Sequence, residues 1–331
     1  MFKEMLIAEI GSVHDGSFGN ALNLIELASS CGATAVKFQT HISSAETTLD
    51  APSPSYFSAE SRYDYFNRTS FSKTQLGELK KKCVDCNVKF ISSPFSIEAV
   101  NLLVEVGVDY LKIPSGEMNN LPMLEHISLK EIPVILSSGM SSIKELDAAV
   151  SIFKNSNSKF MIMQCTSEYP CKPENVGLNV ISLLKEKYKI EVGFSDHTIG
   201  FAAPFAAAAF GAKVIEKHFT FSKHMYGSDA KHSMEPNDFK VLSSGLFEIW
   251  KMLKNPVDKN KNKQFSEMKL IFEKSIVASR SLKKGTVIKF EDLRFKKPGD
   301  GIKASDYKKV IGKKILKNLK KDEKLIYKNL L

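Results

Sequence analysis

Val192-Gly-Phe-Ser-Asp-His-Thr198, taken with Val214-Ile-Glu-Lys-His-Phe-Thr220 downstream, places a histidine directly after each of two short apolar runs. Ile199 to Ala212 between them is rich in Ala and Phe, and its length suits a buried helix joining two parallel strands. In a barrel built of such βαβ units, His197 and His218 emerge at one rim, with Ser195, Asp196 and Glu216 beside them. A rim pair of imidazoles in that company can bind one divalent metal and leave positions open for substrate. Taken singly, a histidine after a strand is more often a hydrogen-bonded structural residue or a helix cap than a ligand. The reading therefore depends on whether the rest of the chain repeats the placement.

It does. Eight apolar, β-branched runs recur, at Leu6 to Ile10, Ala33 to Phe38, Val88 to Ser92, Tyr110 to Ile113, Val134 to Ser137, Phe160 to Gln164, Glu191 to Phe194 and Lys213 to Ile215. The segments between them carry helical spacing, as in Ala21 to Ala28, Ile97 to Val106 and Ile143 to Ile152. The alternation predicts an α/β fold of the (β/α)8 TIM-barrel type, in which catalytic groups stand at the C-terminal ends of the strands. An open doubly wound sheet is the runner-up, but no Gly-x-Gly-x-x-Gly turn follows the first run.

Every strand end is polar: Glu9; Lys37 and Gln39; Ser92 and Ser93; Lys112 and Ser115; Ser137 and Ser138; Thr166, Ser167 and Tyr169; Ser195 and His197; Glu216 and His218. Lys37 and Lys112 interrupt apolar strands, so each needs an anionic partner in the barrel mouth. One reading closes them as ion pairs with Glu9 or Glu216. The other gives them a substrate phosphate or carboxylate, with the serine hydroxyls and loop amides around it. The second is preferred, because the lysines outnumber what a closed ion-pair cluster requires.

With 331 residues, 43% hydrophobic and 25% charged, the chain reads as one large globular domain plus a small one. Its net charge of +10 is uneven: residues 251–331 hold 24 of the 47 Lys and Arg but 9 of the 37 Asp and Glu, a net +15, against −5 for the first 250. Such asymmetry marks a boundary, and the stretch Lys254 to Gln264, poor in apolar residues, reads as linker. The expected division is a barrel over 1–253, a linker over 254–270 and a small domain over 271–331. Five cysteines, odd in number and without paired zinc spacing, read as reduced thiols of a cytoplasmic protein. No segment has the length and apolarity of a membrane span, and no export signal opens the chain.

Ala8-Glu-Ile-Gly11, Lys37-Phe-Gln-Thr40, Ser92-Ser-Pro-Phe95, Leu111 to Glu117, Ser137-Ser-Gly-Met140, Gln164 to Pro170, Gly193 to Thr198, Glu216-Lys-His-Phe219 and Ser228-Asp229, in this order and spacing, resemble the sialic acid (N-acylneuraminate) synthase family. Ser275 to Arg280, Lys284 to Ile288, Lys297-Pro-Gly-Asp-Gly-Ile302 and Ile311 to Lys314 resemble the SAF (type III antifreeze-like) domain that this family carries.

The resemblance implies a condensation of phosphoenolpyruvate with an open-chain N-acyl-mannosamine-type sugar, giving a nine-carbon α-keto acid and phosphate. It assigns phosphoenolpyruvate to Lys37, Ser93, Lys112, Ser115, Ser137, Ser167 and Ser195, and the amino sugar to Gln39, Tyr169, Asp229 and, from the SAF domain, Lys297. Lys297 stands where many members have an arginine, which removes a bidentate contact. Glu9 and Glu216 are the acidic candidates for proton handling, and His197 and His218 the ligands of a divalent metal, manganese or magnesium in that family. It also implies a homodimer in which the SAF domain covers the partner's site. The loop from His41 to Ser72, with Tyr56, Phe57, Tyr63, Tyr65 and Phe66, is a candidate lid or dimer contact. Other readings stay open: a pseudaminic acid synthase, another phosphoenolpyruvate-dependent 3-deoxy-ulosonate synthase, or a basic nucleic-acid-binding protein. The last is disfavoured because the lysines are scattered, with no aromatic interleaving.

Overall fold

Eight parallel strands close on themselves in sequence order in a computed structural model that describes residues 2–52, 60–227 and 229–331. They are β1 (Met5–Gly11), β2 (Ala35–Thr40), β3 (Lys89–Pro94), β4 (Tyr110–Ile113), β5 (Val134–Ser137), β6 (Phe160–Cys165), β7 (Val192–Asp196) and β8 (Val214–His218), with β8 pairing back onto β1. The expected runs thus match the strands, and the helical spacings fall on helices Phe18–Ser30, Ile97–Val106 and Ile143–Lys154. Serine caps start several of them: Ser72 and Ser142 form capping boxes with Gln75 and Glu145, satisfying amides that a helix start otherwise leaves open.

Both faces of the sheet are buried, which is why the strands read as near-continuous apolar runs. Outward-facing Leu6, Val36, Phe38, Phe90, Leu111, Leu136, Ile162, Phe194 and Ile215 pack under the helices. Inward-facing Ile7, Ala35, Ile91, Ile135, Met161, Met163 and Val214, with Phe2 and Met5, form a separate apolar plug inside the barrel. Because side chains alternate along a strand, the residue two positions beyond each plug residue points inward one layer higher. Ile7, Ala35, Ile91, Ile135, Met163 and Val214 are therefore followed by Glu9, Lys37, Ser93, Ser137, Cys165 and Glu216. The buried Trp250 Nε1 donates to Ala212 O at 3.0 Å, tying the long helix Pro236–Lys254 to the connection before β8.

The chain divides into two compact units, Met1–Asn255 and Pro256–Leu331. In the second, β9 (Ser275–Ala278) pairs antiparallel with β10 (Leu293–Lys296) over a core of Ile276, Leu282, Ile288, Leu293, Ile302, Val310, Ile315, Leu319, Leu325 and Leu330. Its excess lysines form a solvated face, several of them in exposed ion pairs such as Lys296 with Asp322 and Lys317 with Glu323. One expectation is corrected: residues 254–270 are not linker throughout, since Ser266–Phe272 is a helix. The stretch poor in apolar residues ends at Gln264, and Phe265, Met268 and Leu270 supply the apolar positions that follow.

Ile135 sits fully buried in the plug beneath Ser137. Ile135→Ala should lower the unfolding free energy of the barrel by about 2–5 kcal/mol, read from denaturant midpoints. An effect within the range of surface substitutions would show that the plug does not support the layer above it.

Candidate active site

Directly above the plug, the two buried lysines meet two buried glutamates. Lys37 Nζ lies 2.8 Å from Glu9 Oε2 and 3.9 Å from Glu216 Oε1, and Lys112 Nζ lies 3.1 Å from Glu216 Oε1. All four side chains are at most 6% exposed. The sequence-based count is corrected here: the cations do not outnumber their carboxylate partners but match them. Ser93 Oγ accepts from Lys37 at 3.3 Å, and Ser195 Oγ donates to Glu216 at 3.0 Å. Burial raises Glu9 to about 7, reinforced by the Glu216 charge and opposed by Lys37. Burial acts on Glu216 in the same sense, but Lys112, Lys37 and the Ser195 hydroxyl outweigh it and hold that carboxyl at about 2. Two carboxyls whose environments push them apart form a natural acid and base pair.

These groups open into a cavity of about 260 Å³ that Gln39, Ser115, Ser137, Tyr169, Asp229 and both rim histidines also line. On one side Ser115 Oγ donates to Ser137 Oγ at 3.2 Å and accepts from the Gly139 amide at 3.1 Å. A Cβ on Gly139 would stand 2.5 Å from both Ser115 Oγ and Ser167 Oγ, so glycine is what lets the hydroxyls converge. Hydroxyls and an amide beside lysines make a cradle for an anion. On the other side Ser12 N and Oγ each donate to Asp229 Oδ2 at 3.3 Å, and Gly11, at φ +53, admits that carboxylate, which would lie 2.6 Å from a Cβ there.

The rings of His197 and His218 stand 5.5 Å apart, with Tyr169 4.0 Å from the first. His197 Nδ1 lies 2.8 Å from Thr166 O; donating there fixes the tautomer and leaves Nε2 its lone pair. His218 Nδ1 is buried without a hydrogen-bond partner among the described residues, and burial, with the charges of His197 and Lys37, lowers that imidazole to about 4. An ion held at about 2.1 Å by each ring nitrogen stands roughly 3.3 Å from each ring centre, so two rings 5.5 Å apart fit one ion. No group of three or more His, Cys, Asp or Glu among the described residues is arranged to hold one. Asp196, which the sequence placed beside this pair, points outward from β7 and is tied to Lys217 and Thr198, while Glu216 is engaged by Lys112. Strand alternation separates Asp196 from Ser195 and His197, and Lys217 from Glu216 and His218.

Lys297 belongs to the second unit, where its ammonium lies 5.0 Å over the Phe272 ring. Tyr56, Phe57 and Ser228 lie outside the described residues. Tyr65 and Phe66 are buried in helix Arg62–Thr69, so they are packed residues of the barrel unit, and Phe66 with Phe95 and His41 forms one wall of the cavity. Sequence reasoning passed over Arg62, Cys165 and His232 and took His41 and Phe66 only as parts of a candidate lid or dimer contact; all five are on this cavity. His41 follows β2 by one residue and carried the same signal as His197, a polar ring just past a strand end.

The sign of the Glu9 shift gives a pH test. Its folded value, about 7, lies above its unfolded value of 4.5, so the stability from its protonated form is complete below pH 4.5 and is lost as pH rises through about 7. Glu9→Gln cannot ionise, and its melting temperature relative to the wild type should climb across that window. A difference that stays constant with pH would contradict the assignment.

The NeuB family model matches residues 24–258, and the SAF domain model residues 273–331. An N,N'-diacetyllegionaminic acid synthase of Campylobacter jejuni is 36% identical, over 98% of this chain and 99% of that protein. A human N-acetylneuraminate-9-phosphate synthase is 33% identical, over 97% of this chain and 91% of that protein. Among solved structures, the N-acetylneuraminic acid (sialic acid) synthetase of Leptospira borgpetersenii, in complex with citrate, superposes with a TM-score of 0.71 at 32% identity, covering 81% of this chain and 90% of that one. The eightfold barrel, the order of its polar strand ends and the full-length similarity agree: the chain belongs to the NeuB family, that of the sialic acid synthases, and ends in a SAF domain.

Proposed function

We propose that this protein condenses phosphoenolpyruvate with an open-chain N-acyl-mannosamine-type sugar, giving a nonulosonic acid of sialic or legionaminic type and inorganic phosphate. The observation that carries the reading is the pairing of Lys37 and Lys112 with buried carboxylates at the floor of a cavity whose walls offer convergent serine hydroxyls. In this reading Lys37, Lys112 and the hydroxyls of Ser93, Ser115, Ser137, Ser167 and Ser195 hold the phosphate and carboxylate of the donor, and the Gly139 amide orients the Ser115 hydroxyl among them. Gln39, Tyr169 and Asp229 face the sugar. His197 and His218 would hold a divalent ion, manganese or magnesium, whose chemistry when bound is Lewis-acid polarisation of the sugar aldehyde.

The electron pair of the donor's C2–C3 double bond forms the new bond from C3 to the aldehyde carbon, and the aldehyde oxygen takes a proton. Cationic character develops at C2, and Glu216, which stays ionised, is the carboxylate suited to stabilise it. Water adds at C2 and loses a proton, and phosphate departs by C–O cleavage as the ketone forms. Glu9, held at about 7, is suited to give or accept a proton at neutral pH. Lys297, carried by the SAF domain, reaches the site from the partner of a homodimer. The reaction takes place in the cytoplasm, a location supported by five cysteines that are all free thiols. No helix among the described residues is long and apolar enough to cross a membrane.

The test is phosphate release from phosphoenolpyruvate with metal and a panel of N-acyl hexosamines, with and without a 6-phosphate. Release should require both a sugar and a metal, stop on chelation, and be abolished in His197→Ala and His218→Ala proteins that still melt cooperatively. Lys112→Ala and Gly139→Ala should raise KM for phosphoenolpyruvate more than KM for the sugar. Activity that survives chelation would remove the metal assignment, and equal effects on both substrates would remove the donor assignment.

A further inference from the structure

A chain of hydrogen bonds runs from the cavity floor along the wall to Glu46, and nothing in the reaction above uses its far end. Gln39 Nε2 donates to Glu9 Oε1 at 3.2 Å; Gln39 Oε1 lies 3.1 Å from His41 Nε2; His41 Nδ1 lies 2.8 Å from Glu46 Oε1. The His41 side chain is 5% exposed and its ring nearly parallel to two phenylalanines, its centre 3.6 Å from that of Phe66 and 4.1 Å from that of Phe95. Glu46 closes the short helix Ser43–Glu46 and does not line the cavity.

The donor and acceptor order of this chain is constrained. Glu9 Oε1 is the oxygen that accepts here, its partner Oε2 being the one turned to Lys37, so Gln39 turns its amide nitrogen toward Glu9 and its oxygen toward His41. His41 Nε2 must then carry a hydrogen, and one proton must lie between His41 Nδ1 and Glu46. The second hydrogen on Gln39 Nε2 remains for a ligand oxygen. Without His41 the two ends of the amide are nearly equivalent in shape, and a half-turn would set a carbonyl oxygen against the Glu9 carboxylate.

We propose that His41 is a positioning residue: gripped between Phe66 and Phe95 and anchored by Glu46, it locks the Gln39 carboxamide so that a nitrogen, never an oxygen, faces Glu9 and the sugar. The lock selects for an acceptor oxygen on the substrate at that point, a hydroxyl or carbonyl, and against a bare donor. Only its kinetic consequence rests on the proposed function.

His41→Phe keeps the aromatic stack but removes the hydrogen bond, and Glu46→Leu removes the anchor. Glu46→Gln supplies an amide hydrogen to Nδ1 and preserves the order. The first readout is the Gln39 side-chain amide in nuclear magnetic resonance of the free full-length protein, assigned by its loss in Gln39→Leu. Wild type and Glu46→Gln should show slowly exchanging amide hydrogens, and His41→Phe and Glu46→Leu should show fast exchange. The second is kinetic: His41→Phe should raise KM for the sugar by about tenfold, the scale of one hydrogen bond, while KM for phosphoenolpyruvate moves less than about twofold, and Glu46→Gln should keep the wild-type pattern. The inference is overturned if the Gln39 amide exchanges alike in wild type and His41→Phe, or if both KM values rise together in a His41→Phe protein of unchanged melting temperature. If the wild type condenses no sugar, the proposed function fails while the resonance comparison still decides this inference.

Discussion

Two cations and two anions are held out of water on top of an apolar plug, and the rest of the site depends on that layer. Removing charges from water costs several kcal/mol per ion unless each meets a partner. Lys37, Lys112, Glu9 and Glu216 meet one another because Ile7, Ala35 and Val214 set the inward phase of β1, β2 and β8, and the closed register between strands brings Glu9 level with Lys37 and with His218. A slip of one residue in any of these strands would send its charge to the outer face. Barrel closure and charge balance are therefore one constraint.

A balanced layer has a functional consequence. Each lysine already has an anion, so an incoming phosphate or carboxylate competes with Glu9 and Glu216 instead of filling a vacancy. Glu216, engaged by both lysines and a serine, stays ionised, whereas Glu9, buried and facing a like charge, lies near the point where it takes up a proton. A polyanionic substrate that draws Lys37 toward itself weakens what opposes the burial of Glu9 and favours its protonated form. Donor binding would then arm a proton for the carbon–carbon bond-forming step.

Much of this was legible in the chain. Eight apolar runs with polar tips pointed to the barrel and put Glu9, Lys37, Ser93, Ser137, Ser195 and Glu216 at its mouth, without separating the tips that face inward from those that face out. Asp196 was misjudged because its neighbours in sequence are opposite in space, a distinction the period of two already contains. The stacking of His41 on Phe66 was missed for another reason: both residues were placed in one candidate lid, but their meeting depends on how helix Arg62–Thr69 returns over β2, a contact across a loop to which local pattern gives no clue. The helix at Ser266–Phe272 was lost because the linker was carried to residue 270, past Gln264, where the stretch poor in apolar residues ends. The charge match escaped for a similar cause, since a sequence counts lysines and glutamates but does not say which of them share a layer.

The central claim is that the lysines pass from internal carboxylates to the donor and leave Glu9 to take up a proton. Calorimetric titration with phosphoenolpyruvate near the Glu9 value of about 7, in buffers of different ionisation enthalpy, tests it most directly. The account predicts net proton uptake on binding, reduced in Glu9→Gln. Binding without proton exchange, or with the same uptake in that variant, would contradict it.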